Sequence, residues 1–160
     1  MLKFLPYLIL ILFSFKPGLG QNTLPDLQYL NFLGGETNIS DFKGKVVYVE
    51  IWASWCHFCK KEMPAAKKLH RLFKKEKDIV FLNIAIDEKE LGWRDAIAKK
   101  KFGGVNLITF KGFDSEIIKH FDIKGIPHFI MVDKKGNIVN DNAKRPSDPL
   151  IIQDLEKLLE

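Results

Sequence analysis

Cysteine is scarce: two of 160 residues, too few for a disulfide-stapled scaffold. No Gly-X-Y period runs through the chain, which excludes a collagen-like fibre. There is no arginine-rich block, and 25 Lys+Arg against 20 Asp+Glu leave a formal net charge of only +5, so nucleic-acid binding is not expected. No internal repeat and no low-complexity tract interrupt it. What is present is ordinary globular material: 46% hydrophobic and 28% charged residues, with thirteen Phe and three Trp to build a core. The length is that of one domain with a small appendage.

The appendage is residues 1–20. Lys3 gives a positive start, and Phe4–Phe15 is an apolar run of 12 residues broken only by Pro6 and Ser14. Spanning a bilayer core takes about 20 apolar residues, so the run has the length of a signal-peptide core. Gly18-Leu19-Gly20 supplies small residues for cleavage before Gln21; the alternative is an uncleaved membrane anchor. No Cys follows the run, so lipid attachment at a cysteine is not expected. Without residues 1–20 the chain holds 23 basic and 20 acidic residues, net +3.

Residues 21–160 alternate strand and helix patterns. Leu27–Phe32 and Glu36–Ile39 flank Leu33-Gly34-Gly35 as an N-terminal β-hairpin. Lys45–Trp52, rich in Val, Tyr and Ile, and Ile79–Ile86 lack polar alternation, the pattern of strands covered on both faces. His57–Glu76 reads as a helix, with Met63, Ala66, Leu69 and Phe73 on one face. Glu88–Lys100 and Asp114–His120 read as further helices, and Val105–Thr109 as a short strand. His128–Asp133 and Asn137–Val139 form a second hairpin. Ser147-Asp148-Pro149 opens a last helix, with Asp to cap it and Pro for the first turn. The expected fold is α/β: a central mixed sheet with helices on both faces.

The chemistry concentrates in Trp55-Cys56-His57-Phe58-Cys59. Two thiols at C-x-x-C spacing follow a buried strand and open a helix. A helix N-terminus favours negative charge, so Cys56 ionises more easily than a free thiol, and the thiolate is the nucleophile of disulfide exchange. Cys59 lies within reach to resolve a mixed disulfide. A purely structural crosslink over so short a loop gains little. Structural zinc needs four ligands, there is no other Cys, and His70, His120 and His128 lack paired spacing, so no metal site is expected.

The stretch Glu50 to Pro64, EIWASWCHFCKKEMP, resembles the active-site segment of the thioredoxin superfamily, and specifically its TlpA/ResA-like extracytoplasmic thiol–disulfide oxidoreductases. Asp41–Lys45, Gly125-Ile126-Pro127 and Val132–Val139 extend the resemblance over residues 21–160. It implies a thioredoxin-like fold, with Cys56 attacking and Cys59 resolving. Ile126 and a cis Pro127 would contact an extended substrate segment. Glu50 stands where thioredoxins have a buried Asp, the proton relay for the resolving thiol; burial in an apolar strand pushes such a carboxyl up toward neutrality, and the alternative is a Glu at a sheet edge that reaches solvent. The next strand, Phe81-Leu82-Asn83-Ile84, lacks the Lys that thioredoxins keep near this acid. Glu62 matches a second acid of the ResA-like branch; the alternative is a solvated helix residue. Trp52 and Trp55 resemble the aromatic pair around the site, although structural packing explains Trp52 equally well, and Trp55, His57 and Phe58 are expected to tune the site. Pro64 matches the family's helix proline and is expected to kink the helix.

The resemblance implies no cofactor beyond the dithiol. The expected partners are disulfide-bearing proteins outside the cytoplasm, apocytochrome c among the candidates, and a membrane or periplasmic electron donor, with the protein acting as a monomer. Alternatives are a disulfide-donating oxidase or isomerase of the same fold, and a copper-binding module using Cys56, Cys59 and Met63 or His128. A peroxidase would need Pro and Thr or Ser where Val49 and Ala53 stand.

Overall fold

The computed structural model describes residues 23–160. The expected signal segment and its cleavage site lie outside these residues. Strand β3 (Val46–Trp52) is buried at every position, as expected from a run of apolar residues that Glu50 alone interrupts. It pairs in parallel with β4 (Ile79–Ala85) and antiparallel with β6 (His128–Val132). The full sheet adds β1 (Gln28–Asn31), β2 (Glu36–Asn38), β5 (Val105–Ile108) and β7 (Ile138–Asn140), in the order β2-β1-β5-β4-β3-β6-β7. The N-terminal hairpin extends the sheet because β1 also pairs antiparallel with β5. The sheet is mixed, as expected.

Four helices cover it: α1 (His57–Leu72), α2 (Glu90–Lys100), α3 (Glu116–His120) and α4 (Leu150–Leu159). Alternation along β3 divides the core. Val46 and Tyr48 pack with Leu69 and Phe73 at the α1 end and with Ile151 and Leu155 of α4. Val47, Val49 and Ile51 belong to the cluster holding Trp93 and Ile97 of α2 and Ile117 and Ile118 of α3. Gly104 has φ +81, and a Cβ there would come 2.5 Å from the Phe81 carbonyl, so β5 can approach β4 only with glycine at that turn. Among the described residues no helix is long and apolar enough to cross a membrane.

Helix α1 ends at Leu72, short of the Glu76 that the sequence predicts. Phe73 is the last buried side chain, and Lys74–Asp78 are all exposed, so nothing holds a further turn against the sheet. Pro64 lies inside α1, which continues through it to Leu72. Helix α4 starts at Leu150, with the Asp148 carboxylate accepting the Leu150 N–H at 2.9 Å.

Candidate active site

The site lies at the carboxyl end of β3, where α/β sheets place their reactive groups. Cys56 caps α1, and its Sγ accepts the Cys59 N–H at 3.0 Å. That N–H and the helix end stabilise negative charge on Cys56 Sγ whenever the sulfur is free. Here the two cysteines form a disulfide. Their exposures differ: 5% for Cys56 and none for Cys59. Only Cys56 offers an edge to a partner.

Two loops hold this turn. The Ile126–Pro127 bond is cis, and the Ile126 carbonyl oxygen lies 3.7 Å from Cys56 Sγ, which sets that loop against the disulfide. On the other side Asp87, just beyond β4, is 3% exposed. Its carboxylate accepts the Ser54 N–H at 2.9 Å and the Ser54 hydroxyl, fixing the chain two residues before Cys56. Gly92 of α2 leaves room for this hydroxyl, since a Cβ there would sit 3.1 Å from Ser54 Oγ.

Glu50 is buried, at 2% exposure, on the β3 face that Tyr48 occupies. It is not at a sheet edge, because β4 and β6 flank it through Asn83 and Phe129. One carboxyl oxygen has no hydrogen-bond partner. Burial, with a smaller contribution from the negative charge of Glu62, pushes its pKa up to about 8. Asn83 does not compensate it: its amide donates to the Gly103 carbonyl at 2.7 Å and to Asn106 Oδ1 at 3.1 Å.

Glu62 is not the solvated residue that its neighbours Lys60 and Lys61 would allow. It is 7% exposed, and its two oxygens accept the Ser147 N–H at 3.1 Å and the Ser147 hydroxyl at 3.0 Å. Arg145 Nη1 stands 3.5 Å away. The segment before α4 is thereby tied to the turn of α1 that follows Cys59.

The two tryptophans separate. Trp52 is fully buried, edge-on to Phe102 at 5.3 Å, and belongs to the core, in line with the packing reading of this residue. Trp55 is 57% exposed and Phe58 66%, so the rim of the disulfide is aromatic. His57 is also exposed and lies 5.8 Å from the Phe58 ring. His128 points elsewhere: its Nε2 donates to the Asp141 carbonyl at 2.5 Å. Met63 is buried in the core. The Asp141 carbonyl occupies His128 Nε2, which weakens His128 as a ligand in the copper alternative.

Sequence reasoning missed Asp87, Ser54, Ser147 and Arg145. Asp87 had a legible signal: an acid directly after an apolar run, at the carboxyl end of a parallel strand. Ser147 had none, since its partner lies 85 residues away.

The Redoxin family model matches residues 20–159, and the chain belongs to that family. Among curated relatives, thiol-disulfide oxidoreductase ResA of Bacillus thuringiensis subsp. konkukian is 27% identical over 117 residues, covering 73% of this chain and 65% of the relative. ResA of Bacillus subtilis is 29% identical over 115 residues, covering 68% of this chain and 62% of the relative. The chain thus spans less than two thirds of the length of these relatives. Among solved structures, the thioredoxin domain of a thiol-disulfide oxidoreductase from Bacteroides vulgatus superposes with a TM-score of 0.77 at 27% identity, over 88% of this chain and 97% of that one. A thiol-disulfide oxidoreductase from Bacteroides fragilis gives 0.77 at 25% identity, over 85% and 98%. The fold is thioredoxin-like, of the TlpA/ResA-like kind.

Proposed function

We propose that the chain is an exported thiol–disulfide oxidoreductase that reduces disulfides of other proteins outside the cytoplasm. The unequal exposure of Cys56 and Cys59 in one disulfide at the start of α1 carries this reading. In the reduced protein, the Cys56 thiolate attacks a substrate disulfide and forms a mixed disulfide, releasing one substrate thiolate. Cys59 loses its proton and attacks Cys56 Sγ, releasing the second substrate thiolate and forming the Cys56–Cys59 bond. Two electrons pass to the substrate.

In the disulfide form Glu50 holds a proton at neutral pH. When a donor reopens the disulfide, Glu50 gives that proton to Cys59, and it takes the proton back in the resolving step. Glu62, held by Ser147, stands one helical turn beyond Cys59. Ile126 and Pro127 line the approach to Cys56, and Trp55, His57 and Phe58 form its rim. No cofactor beyond the dithiol enters these steps. Phe58 carries neither charge nor hydrogen-bond donor where strongly oxidising relatives place a His beside the second Cys, which supports the reducing direction.

Reduction outside the cytoplasm needs recharging, so a membrane or periplasmic electron donor is a partner of the monomer. Residues 1–20 support export, with cleavage before Gln21. N-terminal sequencing of protein from the native host tests that; cytoplasmic protein retaining Met1 refutes it. The redox reading is tested by trapping. Cys59→Ser accumulates mixed disulfides on Cys56, whereas Cys56→Ser accumulates none and loses exchange. Mixed disulfides on residue 59 of the Cys56→Ser variant overturn the assignment.

A further inference from the structure

Positive charge is gathered on one helix and the turn after it. Residues 57–77 hold eight Lys and Arg against only Glu62 and Glu76. The rest of residues 21–160 holds 15 Lys and Arg against 18 Asp and Glu, so the net +3 arises entirely here. Spacings of three, four and seven put Lys60, Lys67, Lys68 and Arg71 on one stripe of α1, on the side away from the buried Ala66 and Leu69. Lys74, Lys75 and Lys77 prolong it, all exposed.

The stripe is not neutralised. Among the described residues none of these cations joins an ion pair. Glu62 is turned inward to Ser147, with Arg145 its only ion-pair partner among the described residues, and Glu76 accepts the Asp78 N–H. Helix α2 shows the contrast: its Arg94 and Lys99 pair with Glu90 and Asp95 one turn away. Like charges three and four residues apart weaken a helix, and α1 keeps them without a compensating acid.

The stripe also begins at the redox site. Lys60 and Lys61 follow Cys59 directly, and Lys61 Nζ sits 5.6 Å from the centre of the exposed Phe58 ring. Over 16 residues α1 carries the charge about 24 Å away from the disulfide. Successive turns lie about 5.4 Å apart, inside a Debye length of about 8 Å at physiological salt, so the charges act together.

From this arrangement we infer that the α1 stripe is the docking face for an acidic protein partner, which it orients so that the partner's disulfide or dithiol meets Cys56. The inference rests on the redox reading above. A protein is favoured over an anionic bilayer because the stripe shares its rim with Cys56: a bilayer against it would cover the only exposed edge of the disulfide. An acidic face gains attraction, and a basic one is turned away by the same charges.

Labelled peptides sharing one core and ending in oligo-Glu, oligo-Ser or oligo-Lys test this. Fluorescence anisotropy with Ser in place of the core Cys reads docking alone. At about 20 mM salt the Glu-tailed peptide should bind the protein at least ~10-fold tighter than the Ser-tailed one, and about 500 mM salt should erase the difference. The triple variant Lys67→Glu, Lys68→Glu, Arg71→Glu should lose the preference while exchanging disulfides with a Ser-tailed, Cys-containing peptide as the parent does. Equal binding of the Glu and Ser tails by the parent overturns the proposal, as does a preference that survives the triple variant. Co-sedimentation with phosphatidylglycerol vesicles that shields Cys56 from alkylation once reduced also overturns it, in favour of a membrane face. Tail-dependent binding without any exchange supports the docking face and strikes the redox reading instead.

Discussion

Replacing Glu50 by Gln should change how the stability of the oxidised protein depends on pH. The ordinary pKa of 4.5 describes this group in the unfolded chain, and burial raises it to about 8 in the fold. Between those values the unfolded chain has lost the proton that the folded chain keeps, so stability falls as pH rises. The contribution is fully present below pH 4.5 and is lost through pH 8. At about 1.4 kcal/mol per pH unit the loss is about 3 kcal/mol by pH 7 and about 5 kcal/mol above pH 8. A Gln side chain does not titrate, so the variant lacks this slope. Its uncompensated amide shifts the whole curve by a constant amount of about 1–3 kcal/mol, which drops out of the comparison. Guanidinium unfolding of oxidised parent and variant from pH 4.5 to pH 9 gives the difference directly. The gap should move by about 3 kcal/mol in favour of the Glu50→Gln variant on going from pH 4.5 to pH 7. Parallel curves would refute the burial argument, and unchanged resolving rates across neutral pH would refute the relay.

Asp87→Ala strands the Ser54 N–H and hydroxyl; it should cost about 1–3 kcal/mol in denaturant unfolding and slow attack by Cys56, and a variant matching the parent in both would refute the clamp. Ser147→Ala removes one of two hydrogen bonds to the buried Glu62 carboxylate and should cost about 1–3 kcal/mol in denaturant unfolding; Ser147→Thr should restore most of it, and a Ser147→Ala variant as stable as the parent would refute the clasp. The reduction potential, measured by equilibration with glutathione, should fall at roughly −200 to −270 mV. A value near about −120 mV would mean that the protein donates disulfides instead.

The sheet was legible wherever burial was two-sided. Val46–Trp52 and Ile79–Ala85 announce themselves because strands covered on both faces need no polar alternation. The dithiol was legible because its chemistry lies within four consecutive residues. Glu50 was legible as a charge inside an apolar run. Contacts between remote segments were not. Ser147 reads locally as part of a helix start, and only the folded chain shows it holding Glu62. Trp52 and Trp55 look alike three residues apart, yet one continues the buried strand and the other stands on the turn outside it. Asn83 reads as the place of a missing cation, while its amide is spent on Gly103 and Asn106.

The central position of β3 makes the site a product of the whole chain. Both cysteines lie in the first half of the sequence, but the strand that closes the far side of β3 is residues 128–132, and the clasp on Glu62 comes from residue 147. A polypeptide emerging from its N-terminus would expose its two thiols long before either arrives. Until then the core that buries Cys59 lacks Ile130 and Val132, and Cys59 is more open to a thiol reagent than in the finished fold. Counting reagent molecules taken up by the reduced chain therefore times the last assembly event: two while the C-terminal third is undocked, one when the fold has closed.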